Sequence, residues 1–189
     1  MAETQMVPEN PFAEIKEMMA LLVSDALRSY ALQETDAQCF RRVYARTVFG
    51  LIEALNDNMK QIALWSHLLG GLKPTAAEIS LLKEEAYDLN ENGEPRRKRN
   101  YLDLSRNVRF TFKVCARLFE CDFSVRPDDD WKAFVNAIEI RNRLSRPKTV
   151  DDLTISDQEL ETIDKAHDWY RKALLDILRS IRRSDDNKR

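Results

Sequence analysis

The stretch EIRNRLSRPK, residues 139–148, carries the side chains best suited to chemistry in this sequence. Four cationic residues fall within eight positions, and the first of them is followed directly by an asparagine. An apolar stripe with helical spacing precedes the stretch: Trp131, Phe134, Val135 and Ile138. Continued by one turn, the stripe leads to Arg141, Asn142 and Ser145. Burying a polar or charged group without a partner costs free energy. These side chains are therefore expected to pair with buried acids, to cap the helix end or to line a cleft.

A less specific interpretation is that Asn142 and Ser145 serve the end of the helix while Arg141 reaches solvent. Pro147 favours a site, because a proline disfavours the α conformation of the residue before it, so the chain should leave the helix at Arg146. That break lets the side chains of Arg141 and Arg146 turn toward one place. A guanidinium can bind a phosphate or stabilise negative charge. Because it stays protonated, it cannot accept a further proton.

The Arg-Asn pair near the end of a late helix, with Pro-Lys shortly after it, resembles the HEPN superfamily. The pattern W..F..A..IRNRL..PK and the later SDQEL segment carry the likeness, which runs from about Phe40 to Leu178. The resemblance implies an α-helical bundle, and many such domains are metal-independent ribonucleases of toxin–antitoxin and phage-defence systems. Their signature is an arginine, usually followed by a polar residue, and then a histidine after about four to six residues. Arg141 and Asn142 match its first half.

Arg146 stands where the resemblance requires the histidine. In the family, that histidine is thought to move protons between the ribose 2′-hydroxyl, the scissile phosphate and the leaving group, which imidazole can do near neutral pH. Neither His67 nor His167 occupies this position. The chain is then a natural variant whose cleavage has lapsed, an inactivated version of a toxic nuclease, or an enzyme with weak activity whose protons are carried by water or another residue. On this hypothesis the catalytic-type residues are Arg141, Asn142 and Arg146.

A basic run next to Tyr101 is a candidate RNA-binding segment: Arg96, Arg97, Lys98 and Arg99. It is interpreted either as an ordinary solvated run of charge or as a clamp on an RNA backbone. In the second interpretation it acts together with Arg143 and Lys148.

Glu53 is predicted on an arc of the long second helix with Arg42, Arg46 and Phe49, away from the main apolar stripe. It forms either an intrahelical ion pair or a contact that neutralises the Arg141 guanidinium. The resemblance implies a homodimer in which two arginine motifs face one cleft. Exposed Phe49 and Gly50 on the same arc would favour such an interface.

Composition limits the other possibilities. The chain has 189 residues, enough for one domain, with 30 basic and 32 acidic residues and a formal net charge of −2. Affinity for nucleic acid would therefore need a local basic patch. Cys39, Cys115 and Cys121 have no metal-binding spacing, and with His67 and His167 far apart no metal or cofactor is expected. No membrane span and no export signal are apparent, so a cytoplasmic protein is expected.

The predicted fold is all-α, a bundle of five to six helices with a small irregular hairpin or loop near residues 88–101. The predicted organisation is a flexible N-terminus over 1–11, one HEPN-like domain over 12–183 and a charged tail over 184–189. The predicted helices are Phe12 to about Gln33, a long one from Thr35-Asp36 to Leu69 with Val43 in its apolar stripe, Thr75 to about Tyr87, Ser105–Phe119, Trp131 to about Ser145, and Ser156 to about Arg183. Capping boxes are predicted where Thr75 precedes Glu78 and where Ser156 precedes Glu159. The aromatic residues Trp131, Phe134, Trp169 and Tyr170 are interpreted as core residues.

Two classes of function remain open. The first is a HEPN-like metal-independent endoribonuclease, impaired as written, whose partners would be RNA, a second copy of the chain and a cognate antitoxin. The second is a non-catalytic module that binds RNA or a partner protein. A helical adaptor unrelated to RNA, in which Arg141 pairs with an acid of the core, is a further alternative.

Overall fold

The computed structural model describes residues 20, 21, 23, 24, 27, 28 and 37–186, with side chains as far as residue 182. The six residues between 20 and 28 are helical, as predicted for the first helix. The remainder of that helix, the predicted N-terminal segment 1–11, the cap at Thr35-Asp36 and residues 187–189 lie outside the described residues.

The described chain is mostly helical, and its elements follow the predicted order. It forms α1 (Ala37–Leu64), a 3₁₀ turn (Ser66–Leu68), α2 (Ala76–Leu82), β1 (Glu85–Leu89), β2 (Pro95–Arg99), α3 (Leu104–Leu118), α4 (Asp129–Ser145), a second 3₁₀ turn (Asp151–Leu153) and α5 (Asp157–Asp186). α1 is shorter than predicted, because its last turn tightens into the first 3₁₀ turn before Gly70, which has a φ of 79°.

α1 lies at the centre of the bundle and packs against α2, α3, α4 and α5. Because it has neighbours on several sides, it buries more than one stripe of side chains. Phe49, expected on the exposed arc, is only 1% exposed and belongs to the core, so its predicted exposure was wrong. Val43, expected in the apolar stripe, is instead 39% exposed, whereas Gly50 is exposed as predicted.

The segment near residues 88–101 is a regular antiparallel strand pair, not the irregular hairpin or loop that was predicted. β1 and β2 pair in register from Glu85 opposite Arg99 to Leu89 opposite Pro95. Gly93 closes the turn with a φ of 76°, which glycine adopts without steric cost. α2 begins with the predicted capping box of Thr75 and Glu78 but ends before β1, earlier than expected.

α4 is delimited by side-chain and backbone features of its own sequence. The Asp128 carboxylate accepts a hydrogen bond from the Trp131 amide and caps the first turn. At the other end, Arg146 leaves the helix with a φ of −138°, as the following Pro147 predicts. α5 begins with the predicted capping box, in which Ser156 and Glu159 exchange hydrogen bonds.

Aromatic side chains join α3, α4 and α5. Phe134 packs against Trp169 with their ring centroids 4.7 Å apart, and Trp131 lies 5.1 Å from Trp169 by the same measure. Phe112 contacts Tyr170, whose centroid is 5.6 Å away. These rings are therefore core residues, as the sequence predicted, and they hold α4 in place beneath the Arg-Asn pair.

Within the described part of the chain, no helix is long and apolar enough to cross a membrane. The described residues also contain no cluster of three or more histidine, cysteine or acidic side chains arranged to hold a metal ion. Cys39, Cys115 and Cys121 form no disulfide bond with one another.

Candidate functional site

An open cleft of about 1040 Å³ lies between the C-terminal half of α4, the middle of α1 and the segment that leads into α3. Arg141, Asn142, Ser145 and Arg146 line it from α4, and Glu53 lines it from α1. The buried face of α4 continues through Ile140 and Leu144, which are 9% and 2% exposed. The Arg-Asn pair thus lies beside the core and faces the cleft, which was one of the three arrangements expected for it.

Arg141 is held by two partners. Its Nη2 atom donates to Oε1 of Glu53 in a short ion pair, and its Nη1 atom donates to Oδ1 of Asn142 at 3.1 Å. The side chains of Arg141 and Glu53 are 31% and 41% exposed, so the ion pair remains open to solvent. Glu53 therefore neutralises the guanidinium in the cleft, and the acid that pairs with Arg141 is not a core residue.

Arg146 lies at the end of the helix, where its amide is hydrogen-bonded but its guanidinium has no partner among the described residues. Its amide donates to the carbonyl oxygens of Asn142 at 3.2 Å and Arg143 at 3.3 Å, which closes the last turn. The side chain is exposed and lines the cleft, and it has no hydrogen bond or ion pair with any other residue that the structure describes. A charged guanidinium free in a cleft beside a second one is a ready ligand for an anionic oxygen.

An ionic group around the buried Lys60 ammonium includes three residues of the cleft lining, Asp57, Glu84 and Asn107. Lys60 has a side chain that is only 5% exposed, and its ammonium donates to Glu84 at 2.6 Å and to Asp57 at 3.0 Å. Glu84 also accepts a hydrogen bond of 2.7 Å from Nδ2 of Asn107. This group connects α1, the start of the hairpin and α3, and so fixes the shape of the cleft.

Two buried amide oxygens lie in residues of the cleft wall. Oδ1 of Asn56 and Oδ1 of Asn107 have no hydrogen-bond partner among the described residues, and the two residues are 1% and 6% exposed. Both atoms are acceptors, so water or a donor group of a ligand would satisfy them.

Acidic groups outnumber basic ones in the cleft. Five carboxylates line it against the two guanidiniums, and they belong to Glu53, Asp57, Glu84, Asp103 and Glu139. Burial alone would raise the pKa of Asp103, but hydrogen bonds from the Ser105 hydroxyl and the Arg106 amide outweigh it and lower that pKa. An anionic ligand at Arg141 must therefore compete with Glu53, whereas no acidic residue of the described chain pairs with Arg146.

The other predicted RNA-binding residues lie outside this cleft. Arg143 donates to the carbonyl oxygen of Thr154 at 3.1 Å and to Glu159 at 2.8 Å, so it braces the connection between α4 and α5. Lys148 is exposed beyond the helix end, and its amide is held by Asp152 at 2.8 Å. Arg96, Arg97, Lys98 and Arg99 form most of β2, and all four are exposed.

Neither histidine reaches the cleft. His67 is exposed in the 3₁₀ turn after α1, and His167 lies on α5. Burial lowers the pKa of His167, so its imidazole is neutral in the fold near neutral pH. The described lining of the cleft thus includes carboxylates and guanidiniums but no imidazole.

Sequence reasoning missed the ionic group of Lys60, Glu84 and Asn107. A lysine between Met59 and Ile62, two residues of the apolar stripe of α1, is the local signal for it, since a buried ammonium requires acidic partners. Its partner Glu84 is distant in the sequence, and no short-range pattern identifies it.

Comparisons of the chain with family models, with curated proteins and with solved structures gave no match.

Proposed function

We propose that the cleft binds single-stranded RNA in the manner of a HEPN-like domain, and that metal-independent cleavage is impaired because Arg146 replaces a proton-transferring histidine. One observation carries the proposal: Arg141, Asn142 and Arg146 line the same cleft, and the Arg146 guanidinium has no hydrogen bond or ion pair with the other residues that the structure describes. We place the domain in a toxin–antitoxin or phage-defence system, because its Arg-Asn motif resembles that of HEPN domains from such systems.

The chemistry of the three side chains supports this assignment. Arg141 offers a planar fork of N–H donors, and Asn142 accepts one of them at 3.1 Å and so restrains its orientation. A phosphate bridging Arg141 and Arg146 would gain charge-assisted hydrogen bonds from both. Asn56 and Asn107 would accept from the amino groups of a base, once those buried oxygens become accessible.

Cleavage without a metal requires proton transfer. The ribose 2′-hydroxyl loses a proton as its oxygen attacks the phosphorus, and the departing 5′-oxygen gains one, which leaves a 2′,3′-cyclic phosphate. A guanidinium stabilises the negative charge of the phosphorane but does not accept the proton at neutral pH. Arg146 therefore favours retention of substrate over turnover.

A second candidate function is a docking site for a basic segment of a partner protein. Carboxylates outnumber guanidiniums in the cleft, and Glu53 neutralises Arg141. Both observations favour a cationic ligand. The two candidates predict opposite effects when Glu53 is neutralised, because Glu53 competes with a phosphate but would attract a cation.

We expect Glu53→Gln to raise the affinity for a short single-stranded RNA by about two- to fivefold, since an exposed ion pair is worth at most about 1 kcal/mol. Arg141→Ala should lower that affinity by about tenfold or more, because a charge-assisted phosphate contact is lost. Fluorescence anisotropy with a labelled oligonucleotide at low salt measures both changes.

Glu161→Gln is the matched control for Glu53→Gln. Glu161 pairs with Lys165 on the exposed face of α5, so the same change of charge occurs away from the cleft lining. A fall in RNA affinity for Glu53→Gln, together with tighter binding of a basic peptide by the parent, would support the docking candidate and contradict RNA binding.

We further propose a homodimer, in which two clefts face each other across a two-fold axis. Phe49 does not support an interface, because it is buried within one chain. Sedimentation equilibrium at micromolar concentration is expected to give twice the chain mass of 22.1 kDa, and a monomeric mass would contradict the dimer. Sequencing the neighbouring gene tests for the cognate antitoxin.

A further inference from the structure

The pairing of β1 with β2 separates the basic run into two faces. Successive residues of a strand point to opposite sides of a sheet. Arg97 and Arg99 therefore share one face with their cross-strand partners Tyr87 and Glu85, whereas Arg96 and Lys98 lie on the other. We call the first of these the tyrosine face of the hairpin.

The tyrosine face exposes aromatic and apolar surface. Tyr87 is 62% exposed and Leu89 is 68% exposed, and Tyr101, just beyond β2, is 73% exposed. The Arg99 guanidinium lies 5.8 Å from the centroid of the Tyr101 ring and donates to its hydroxyl at 2.9 Å. Exposed aromatic rings beside arginines are the arrangement on which single-stranded nucleic acids stack their bases.

A second depression of about 720 Å³ lies between this face and the helices α1 and α2, and it shares lining residues with the cleft. Tyr101, Asp57 and Glu84 line both of them. A chain of nucleotides that occupied the cleft could therefore extend past Tyr101 onto the hairpin.

The charge of the second depression differs from that of the cleft. It is lined by four cations, Lys60, Lys83, Arg97 and Arg99, against three carboxylates. Lys60 and Arg97 form salt bridges with carboxylates, but Lys83 and Arg99 form none with the described residues, and Arg99 interacts with Glu84 only at longer range. Of the two depressions, this one is thus complementary to a phosphate backbone.

We infer that the tyrosine face and the depression beneath it hold the nucleotides that flank those in the cleft, with Tyr87 and Tyr101 stacking on bases and Arg99 and Lys83 contacting phosphates. The inference rests on the proposed RNA binding and specifies its substrate as an unpaired strand several nucleotides long. Stacking requires free base faces, so a duplex is excluded from the hairpin.

The test compares a labelled oligonucleotide of about ten unpaired nucleotides with a dinucleotide. Tyr87→Ala is expected to weaken binding of the longer strand about tenfold and to leave the dinucleotide unaffected, because Tyr87 does not line the cleft. Tyr101→Ala should also weaken the longer strand about tenfold, whereas Tyr101→Phe, which keeps the ring, should not. Circular dichroism verifies that these exposed substitutions leave the fold intact.

The salt dependence of binding separates phosphate contacts from stacking. Arg99→Ala should lower the slope of log affinity against log salt by about 0.7, the value for one phosphate contact on a single strand. Lys98→Ala, on the opposite face, should change it less. Lys113→Ala is the control, since Lys113 is exposed on α3 away from both depressions.

The possible results distinguish failure of this inference from failure of the proposed RNA binding. If the parent binds the ten-nucleotide strand and Tyr87→Ala, Tyr101→Ala and Arg99→Ala all bind it equally well, the inference is wrong while the proposed function stands. If the parent binds neither RNA, both are wrong. If Tyr87→Ala instead halves the mass in sedimentation, the tyrosine face is an interface between copies of the chain, and the inference is overturned.

Discussion

Arg146→His is expected to raise the rate of RNA cleavage by about 10²-fold or more, the usual contribution of a positioned general acid–base group. The substitution places an imidazole at the cleft end of α4, next to the guanidinium of Arg141. The imidazole can take the proton of the 2′-hydroxyl and return one to the leaving oxygen, which a guanidinium cannot do. Cleavage is measured on labelled single-stranded RNA with EDTA present, and growth inhibition in cells is the companion measurement.

Two further variants show whether any gain comes from proton transfer at this site. Arg146→Gln removes the same positive charge without supplying an imidazole, so it should leave cleavage at the parent level. Arg141→Ala combined with Arg146→His should abolish the gain, because the phosphate then lacks its fixed donor fork. A 2′,3′-cyclic phosphate on the product identifies attack by the ribose hydroxyl.

The affinity for RNA should fall in Arg146→His, whereas the cleavage rate should rise. Arg146→His removes one permanent cation from the cleft, so RNA affinity should fall slightly and its salt slope should fall by at most about one. If the variant neither cuts RNA nor slows growth, and the parent has no affinity for RNA at low salt, a helical adaptor unrelated to RNA becomes the better interpretation.

The features that the sequence predicted well are the local ones. Thr75 with Glu78, and Ser156 with Glu159, are capping boxes that can be recognised within four residues, and both form in the structure. Pro147 likewise predicts the departure of the chain from the helix at the residue before it. The position of Arg141, Asn142 and Arg146 at one helix end follows from the same local information.

The features that it missed depend on contacts between distant segments. Phe49 lies off the main apolar stripe, yet it is buried because α1 has neighbours on several sides. The sequence PRRKR has little intrinsic preference for a strand, and it becomes β2 because β1 pairs with it residue by residue. The pairing of Arg141 with Glu53 was one of two arrangements proposed for that acid, and only tertiary packing selects between them.

Glu84→Ala is expected to lower the free energy of unfolding by about 3 kcal/mol or more, the largest effect on stability that we predict for a polar residue near the cleft. The substitution leaves the ammonium of Lys60 buried, and its remaining acidic partner is the mostly exposed Asp57. It also removes the acceptor for Nδ2 of Asn107. Urea denaturation followed by circular dichroism measures the change.

Three comparisons separate the buried charge from other causes. Asp88→Ala removes an exposed carboxylate that lies 3.4 Å from Lys98, so it should leave the urea midpoint nearly unchanged. Glu84→Gly relieves the left-handed backbone at this position, where φ is 51°, yet it should still destabilise the fold because the carboxylate is gone.

The third comparison joins Glu84→Gln with Lys60→Met. Replacing both partners removes the uncompensated ammonium, so the double variant should be more stable than Glu84→Gln alone. A double variant that is less stable than Glu84→Gln alone would show that the Lys60 ammonium still stabilises the fold with Asp57 as its acidic partner, so that an uncompensated buried charge is not the cause of the loss. The loss in Glu84→Ala would then come from the hydrogen bonds that Glu84 accepts from Lys60 and Asn107, and the cleft would depend on the geometry of this acceptor.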